Sequence, residues 1–136
     1  MLPYILLADH DSGLCGSFVE ELDRRVAYAE VKTVECGESF LSYLNSRTWD
    51  DLPSMILLNY ELPDMKAPDL LRELLTQARY LDIPVLVWTC SGKESQLEEC
   101  KRLGVRTVLQ QPAGLSDLEA VVHQIDDLLK AELSIV

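Results

Sequence analysis

The feature that most constrains this chain is an alternation repeated five times. Short apolar runs are separated by longer stretches in which apolar residues recur at helical spacing. Tyr4–Ala8, Glu30–Val34, Met55–Leu58, Ile83–Trp88 and Val105–Leu109 read as strands. Met55–Leu58 is a continuous apolar run, as expected of a strand buried on both faces. Between the runs, Gly13–Val26 carries Leu14, Phe18, Leu22 and Val26 four apart, one face of a helix. Glu38–Asn45, a segment opening at Pro68, Ser91–Leu103 and Asp117–Glu132 read as the other helices. Alternating strands and helices predict a parallel sheet covered on both faces, with right-handed crossovers.

Local signals sharpen the boundaries. Asp11 or Ser12 is placed to cap the first helix and Ser116 the last. Pro68 suits a first helical turn, with Leu70, Leu71, Leu74 and Ala78 on its inner face. Leu97, Cys100 and Leu103 face inward on the fourth helix, which Gly104 ends. On the last helix Leu118, Val121, Ile125 and Leu128 form one stripe. Val122 and Leu129 lie off it, followed by Leu133, Ile135 and Val136. Apolar residues beyond one face suggest a contact surface, the alternative being a tail folded back on its own sheet.

Charge and length narrow the function. The chain has 136 residues, with 23 acidic against 12 basic and a formal net charge of −11. A surface of that sign does not displace counterions from DNA, so a protein is the expected partner, not a nucleic acid. No apolar run approaches bilayer length, and the N-terminus lacks the basic start of a signal peptide, so a cytoplasmic protein without membrane contact is expected. Cys15, Cys36, Cys90 and Cys100 form no C-x-x-C pair and read as reduced, small apolar residues. In an open α/β sheet the ligand site lies beyond the carboxyl ends of the strands. That rule singles out Asp9, His10, Asn59, Thr89 and Gln111.

Four stretches in order carry a resemblance: Ile5–Asp9, Ile56–Met65 with Asn59-Tyr-Glu-Leu-Pro63, Ile83–Thr89, and Gly104–Pro112. They resemble the receiver domains of response regulators, of the chemotaxis-type single-domain kind, over about Tyr4 to Leu129. Tyr43-Leu44 and Arg47–Pro53 further resemble small stand-alone receivers, including those paired with phytochrome-type histidine kinases. The resemblance implies a flavodoxin-like, doubly wound (βα)5 sandwich with strand order 2-1-3-4-5. It implies one domain over residues 1–136 without an output domain. It also implies a place in two-component phosphorelay signalling, in which a histidine kinase passes a phosphoryl group to an aspartate.

Carried over residue by residue, the resemblance also implies a loss. Asp9 matches the first of two acidic positions for Mg²⁺, but His10 stands at the second. Asn59 stands at the phospho-acceptor, Gln111 at the lysine that binds the phosphoryl group, and Val108 at the aromatic switch of the fifth strand. Ala67 replaces a glycine, while Thr89 and Pro112 match. A neutral amide gives no stable acyl phosphate. A single carboxylate beside an imidazole is a poor Mg²⁺ site, leaving Asp9 and the Glu61 backbone as remnant ligands and no cofactor expected. The expected protein is therefore a degenerate receiver, or pseudo-receiver. It would act not as an enzyme but by binding a histidine kinase, another regulator or a second copy through the fourth helix, fifth strand and fifth helix. The competing expectation is residual metal or phosphoryl binding at the modified pocket, as a phosphate sink or minor enzyme. Asp9, His10, Asp11 and Glu61 would suit Zn²⁺ or Mn²⁺ better than Mg²⁺. His123 reads as a surface residue of the last helix.

Overall fold

The computed structural model describes residues 3–10, 12–89, 94–110 and 115–133. The strands are β1 (Tyr4–Ala8), β2 (Glu30–Val34), β3 (Met55–Asn59), β4 (Val85–Thr89) and β5 (Thr107–Gln110). The helices are α1 (Ser12–Arg25), α2 (Gly37–Asn45), α3 (Ala67–Leu75), α4 (Glu94–Arg102) and α5 (Leu115–Leu133). All strand pairs are parallel, in the order β2-β1-β3-β4-β5. The parallel sheet is the one the alternation predicts, and its order is the flavodoxin-like one that the resemblance implies. Its two cores lie on opposite faces of the sheet because successive strand residues point to opposite sides. Leu6, Ile56, Leu58 and Val87 face one core with Phe40 of α2, Leu70 of α3 and Cys100 of α4. Ile5, Leu7, Leu57 and Trp88 face the other with Phe18 of α1 and Ile125 of α5.

Several local expectations need correction. Ala78 is not on the inner face of α3: the helix ends at Leu75, and Ala78 is an exposed residue of a 3-10 turn, Ala78–Tyr80. The fourth and fifth strands start later than their apolar runs, at Val85 and Thr107. Pro84 precedes the one, and Gly104, with φ +96°, turns the chain before the other. Val122 and Leu129 are fully buried, while Leu128 is only partly so. The buried face of α5 is wide because α5 packs on α1 as well as on the sheet, so these residues are core and not spare surface. Leu133 also packs against this core. Asp11, Ile135 and Val136, and the side chains of Leu14, Cys15 and Ser116, lie outside the described residues, as does Cys90. Cys36 and Cys100 are free thiols. Among the described residues no helix is long and apolar enough to cross a membrane.

Candidate functional site

Parallel strands deliver their last residues to one edge of the sheet, and here that edge collects polar groups. Asp9 follows β1 and is pinned there by its own N–H, which donates to the Val34 carbonyl at 3.0 Å. Asn59 ends β3 and Thr89 ends β4. Five polar residues are buried among those described, and Asp9, Asn59 and Thr89 are three of them. Buried polar groups persist only when partnered, so this concentration marks a built pocket and not an accident of packing.

The centre of the pocket is a directed pair of hydrogen bonds. The Glu61 backbone N–H donates to Asn59 Oδ1 at 3.0 Å. Asn59 Nδ2 donates to Asp9 Oδ1 at 3.1 Å. The two bonds settle the orientation of the amide. Turned over, it would set its NH₂ against an N–H and its oxygen against a carboxylate. Asn59 thereby links the strand end, the following loop and the buried carboxylate.

His10 is not part of that centre. Its side chain is half exposed, and Nδ1 stands 4.0 Å from Asp9 Oδ1, too far for a hydrogen bond. The Glu61 side chain is exposed, and its residue bridges antiparallel to Lys66, closing the loop after β3. Val108 is half-buried on β5 opposite Val87. Gln111 and the Gln111–Pro112 bond lie outside the described residues. His123 is an exposed residue of α5 whose Nδ1 takes a hydrogen bond from Arg25 at 2.9 Å.

The arrangement can be tested for the divalent cation that the resemblance implies. Mg²⁺ needs several hard oxygen ligands at once. Asp9 offers one carboxylate, and one of its oxygens already accepts an amide N–H. The Asn59 oxygen is turned to the Glu61 N–H. Among the described residues no three His, Cys, Asp or Glu side chains converge as a metal site. Among the described residues this edge thus presents one buried carboxylate and an amide whose two ends are both engaged.

Asp64, in the loop after β3, is a further residue that the sequence does not single out. Its carboxylate accepts the N–H of Gly37 at 2.7 Å and of Glu38 at 2.9 Å, so it caps the first turn of α2. Those two N–H groups hold its carboxyl below the usual carboxylate range. No local pattern announces a cap donated from 27 residues away. The one signal in the sequence is that Cys36, at the start of the second helix, offers only a weak thiol acceptor as a cap.

Comparison with known proteins agrees with the geometry. Residues 5–123 match the model of the response regulator receiver domain. The two-component response regulator ARR7 of Arabidopsis thaliana is 26% identical over 127 residues, covering 88% of this chain. The chain spans 61% of that relative's length. Among solved structures, the phosphorylated cyanobacterial phytochrome response regulator RcpA superposes with a TM-score of 0.84 at 25% identity, covering 95% of this chain and 94% of the other. A CheY-like receiver from Methanospirillum hungatei JF-1 shares the fold at a TM-score of 0.80 and 16% identity, covering 98% of each chain. Receiver domains of this kind interact with histidine kinases or phosphotransfer proteins in two-component signalling. The chain therefore belongs to the response regulator receiver domain family.

Proposed function

We propose that this receiver takes no phosphoryl group at the end of its third strand and signals as a binding module. The observation that carries the reading is the bond from Asn59 Nδ2 to the buried Asp9 carboxylate. Phosphoryl transfer needs an anionic oxygen nucleophile and cations to neutralise the transferred group. Asn59 offers an amide, and its NH₂ already engages one oxygen of Asp9. The internal bond supplies the stabilisation of Asp9 that a cation would otherwise give, so one arrangement of the pocket is held without modification. Val108 has no ring to follow the Thr89 hydroxyl, which supports the same reading. Output then passes through a surface of this domain to a protein partner, a histidine kinase or another regulator. Of the apolar residues on α5 that suggested pairing through α4, β5 and α5, Val122, Leu129 and Leu133 pack in or against the core of this domain.

The test is incubation with acetyl phosphate and Mg²⁺ followed by intact mass. The expected result is an unchanged mass, with unchanged thermal stability on adding Mg²⁺. A phosphoryl adduct on any carboxylate would replace this reading with that of a phosphate sink.

A further inference from the structure

The polar pair at the sheet edge and the cap on α2 belong to one closed circuit of contacts. Asn59 Nδ2 donates to Asp9 Oδ1, and the Glu61 N–H donates to Asn59 Oδ1. From Glu61 the chain turns back on itself. Glu61 bridges Lys66, and the Leu62 N–H donates to the Met65 carbonyl at 3.1 Å. The Ala67 N–H then donates to the Tyr60 carbonyl at 2.9 Å, closing the base of the loop. Asp64 stands at the tip and accepts the N–H groups of Gly37 and Glu38. Glu35 and Cys36 lead from Gly37 back to Val34, whose carbonyl accepts the Asp9 N–H. The circuit begins and ends on Asp9.

The circuit has one polar joint between the loop after β3 and α2. Among the described residues, every hydrogen bond across that junction is made by the Asp64 carboxylate. The junction is packed as well as bonded. Gly37 is buried, and Met65 lies so close against it that a Cβ would not fit. Close packing passes a displacement on and does not absorb it.

We infer that Asp64 is a positioning residue for the pocket: by tying the loop after β3 to the first turn of α2, it holds the Glu61 N–H on Asn59 and makes the pocket and α2 respond to each other. The reason is conformational. A loop pinned at its tip has fewer ways to move than one held only at its base. Once the tip is released, the Glu61 N–H can turn to water. The Asn59 amide then loses the donor that fixes its orientation. In the other direction, a change at Asn59 moves its partner Glu61 and reaches α2 through Asp64. This route uses neither a ring at Val108 nor a phosphoryl group, so it is independent of what the pocket takes up.

Amide hydrogen exchange of the full chain, read by NMR together with the side-chain amide resonances of Asn59, tests it. Circular dichroism confirms that each variant folds. In Asp64→Ala, Gly37 and Glu38 lose protection, as they would with any lost cap. The inference adds that exchange at the Glu61 amide rises by about fivefold or more and that the Asn59 NH₂ resonances shift. Asn59→Ala should in turn speed exchange at Gly37 and Glu38, because coupling between two sites is reciprocal. Tyr28→Phe acts on the opposite core, where the phenol meets Asp126. It should leave both sets unmoved relative to their neighbours. If Asn59→Ala does not fold, Asp64→Ala decides alone. Unchanged Glu61 and Asn59 signals in Asp64→Ala, beside lost protection at Gly37 and Glu38, overturn the inference and leave Asp64 a cap only. An equal response to Tyr28→Phe also overturns it, since that would be general loosening of the fold.

Discussion

Asn59 and Asp9 face each other across 3.1 Å as amide donor and carboxylate acceptor, both shielded from water. The sign of that contact decides the character of the pocket. An amide N–H stabilises the ionised Asp9, whereas a carboxylate in its place would repel it unless a cation intervened.

Asn59→Asp therefore reverses the contact. Two close carboxylates should raise the pKa of one of them and lower stability at neutral pH by about 1–3 kcal/mol. The loss should shrink as pH falls and the carboxyl protonates. It should also shrink on adding Mg²⁺, which stabilises by binding only the folded state. Thermal unfolding of both chains with and without Mg²⁺ checks this. The wild-type midpoint should ignore the metal and the variant midpoint should rise with it.

Asp64 gives a second prediction with a definite pH signature. Its carboxyl is held below its ordinary value of 3.8, first by the Gly37 N–H and then by the Glu38 N–H. A depressed folded pKa contributes stability that is present above 3.8 and is lost as pH falls through the folded value. Asp64→Asn removes the charge and turns one donor toward a donor. It should lower the midpoint of thermal unfolding at neutral pH. The gap to wild type should close as the solution is acidified below 3.8. A gap that persists in acid would show that the cap acts through shape and not charge.

These two residues also mark what could be read in advance. Met55–Leu58 announced a strand buried on both faces, and in the structure none of the four is more than 2% exposed. Asp9, Asn59 and Thr89 could be grouped because parallel strands must end together, whatever fills the space between. The direction of the Asn59 amide could not be read, because the Glu61 backbone N–H sets it and not residue type. The Asp64 cap was hidden by its distance along the chain. Val122 and Leu129 fall off a stripe drawn for one partner because α5 packs on α1 as well as on the sheet, and of the two alternatives the sequence leaves open they take the packed one.

Gly37 supplies a packing prediction. A Cβ built there would lie closer than 3.0 Å to both Cγ and Sδ of Met65, nearer than real atoms approach. Gly37→Ala should therefore lower stability by about 1–3 kcal/mol, as overpacking does. Met65→Ala in the same chain removes the obstructing atoms. The double variant should be more stable than the sum of the single losses, and a denaturant double-mutant cycle measures the coupling directly. Additive losses would mean that Met65 simply swings aside.

The last prediction concerns alkali. Tyr28 is raised well above its ordinary value of 10.0, by burial first and then by the phenol's bond to Asp126 Oδ1 at 2.5 Å. Burial likewise raises Tyr4. A raised folded pKa contributes stability that is complete below the unfolded value of 10.0 and is lost as pH rises toward the folded one. Stability should therefore hold to about pH 10 and fall beyond it. The tyrosinate absorbance of these two residues should appear together with unfolding and not before. Tyr28→Phe removes the phenol but leaves the buried Asp126 paired with Lys130 at 3.2 Å. It should cost about 1–2 kcal/mol at neutral pH and flatten the alkaline decline. Unfolding followed by circular dichroism against pH, beside a spectrophotometric tyrosine titration, separates the two effects. Early titration of every tyrosine in a folded chain would count against the bond between Tyr28 and Asp126.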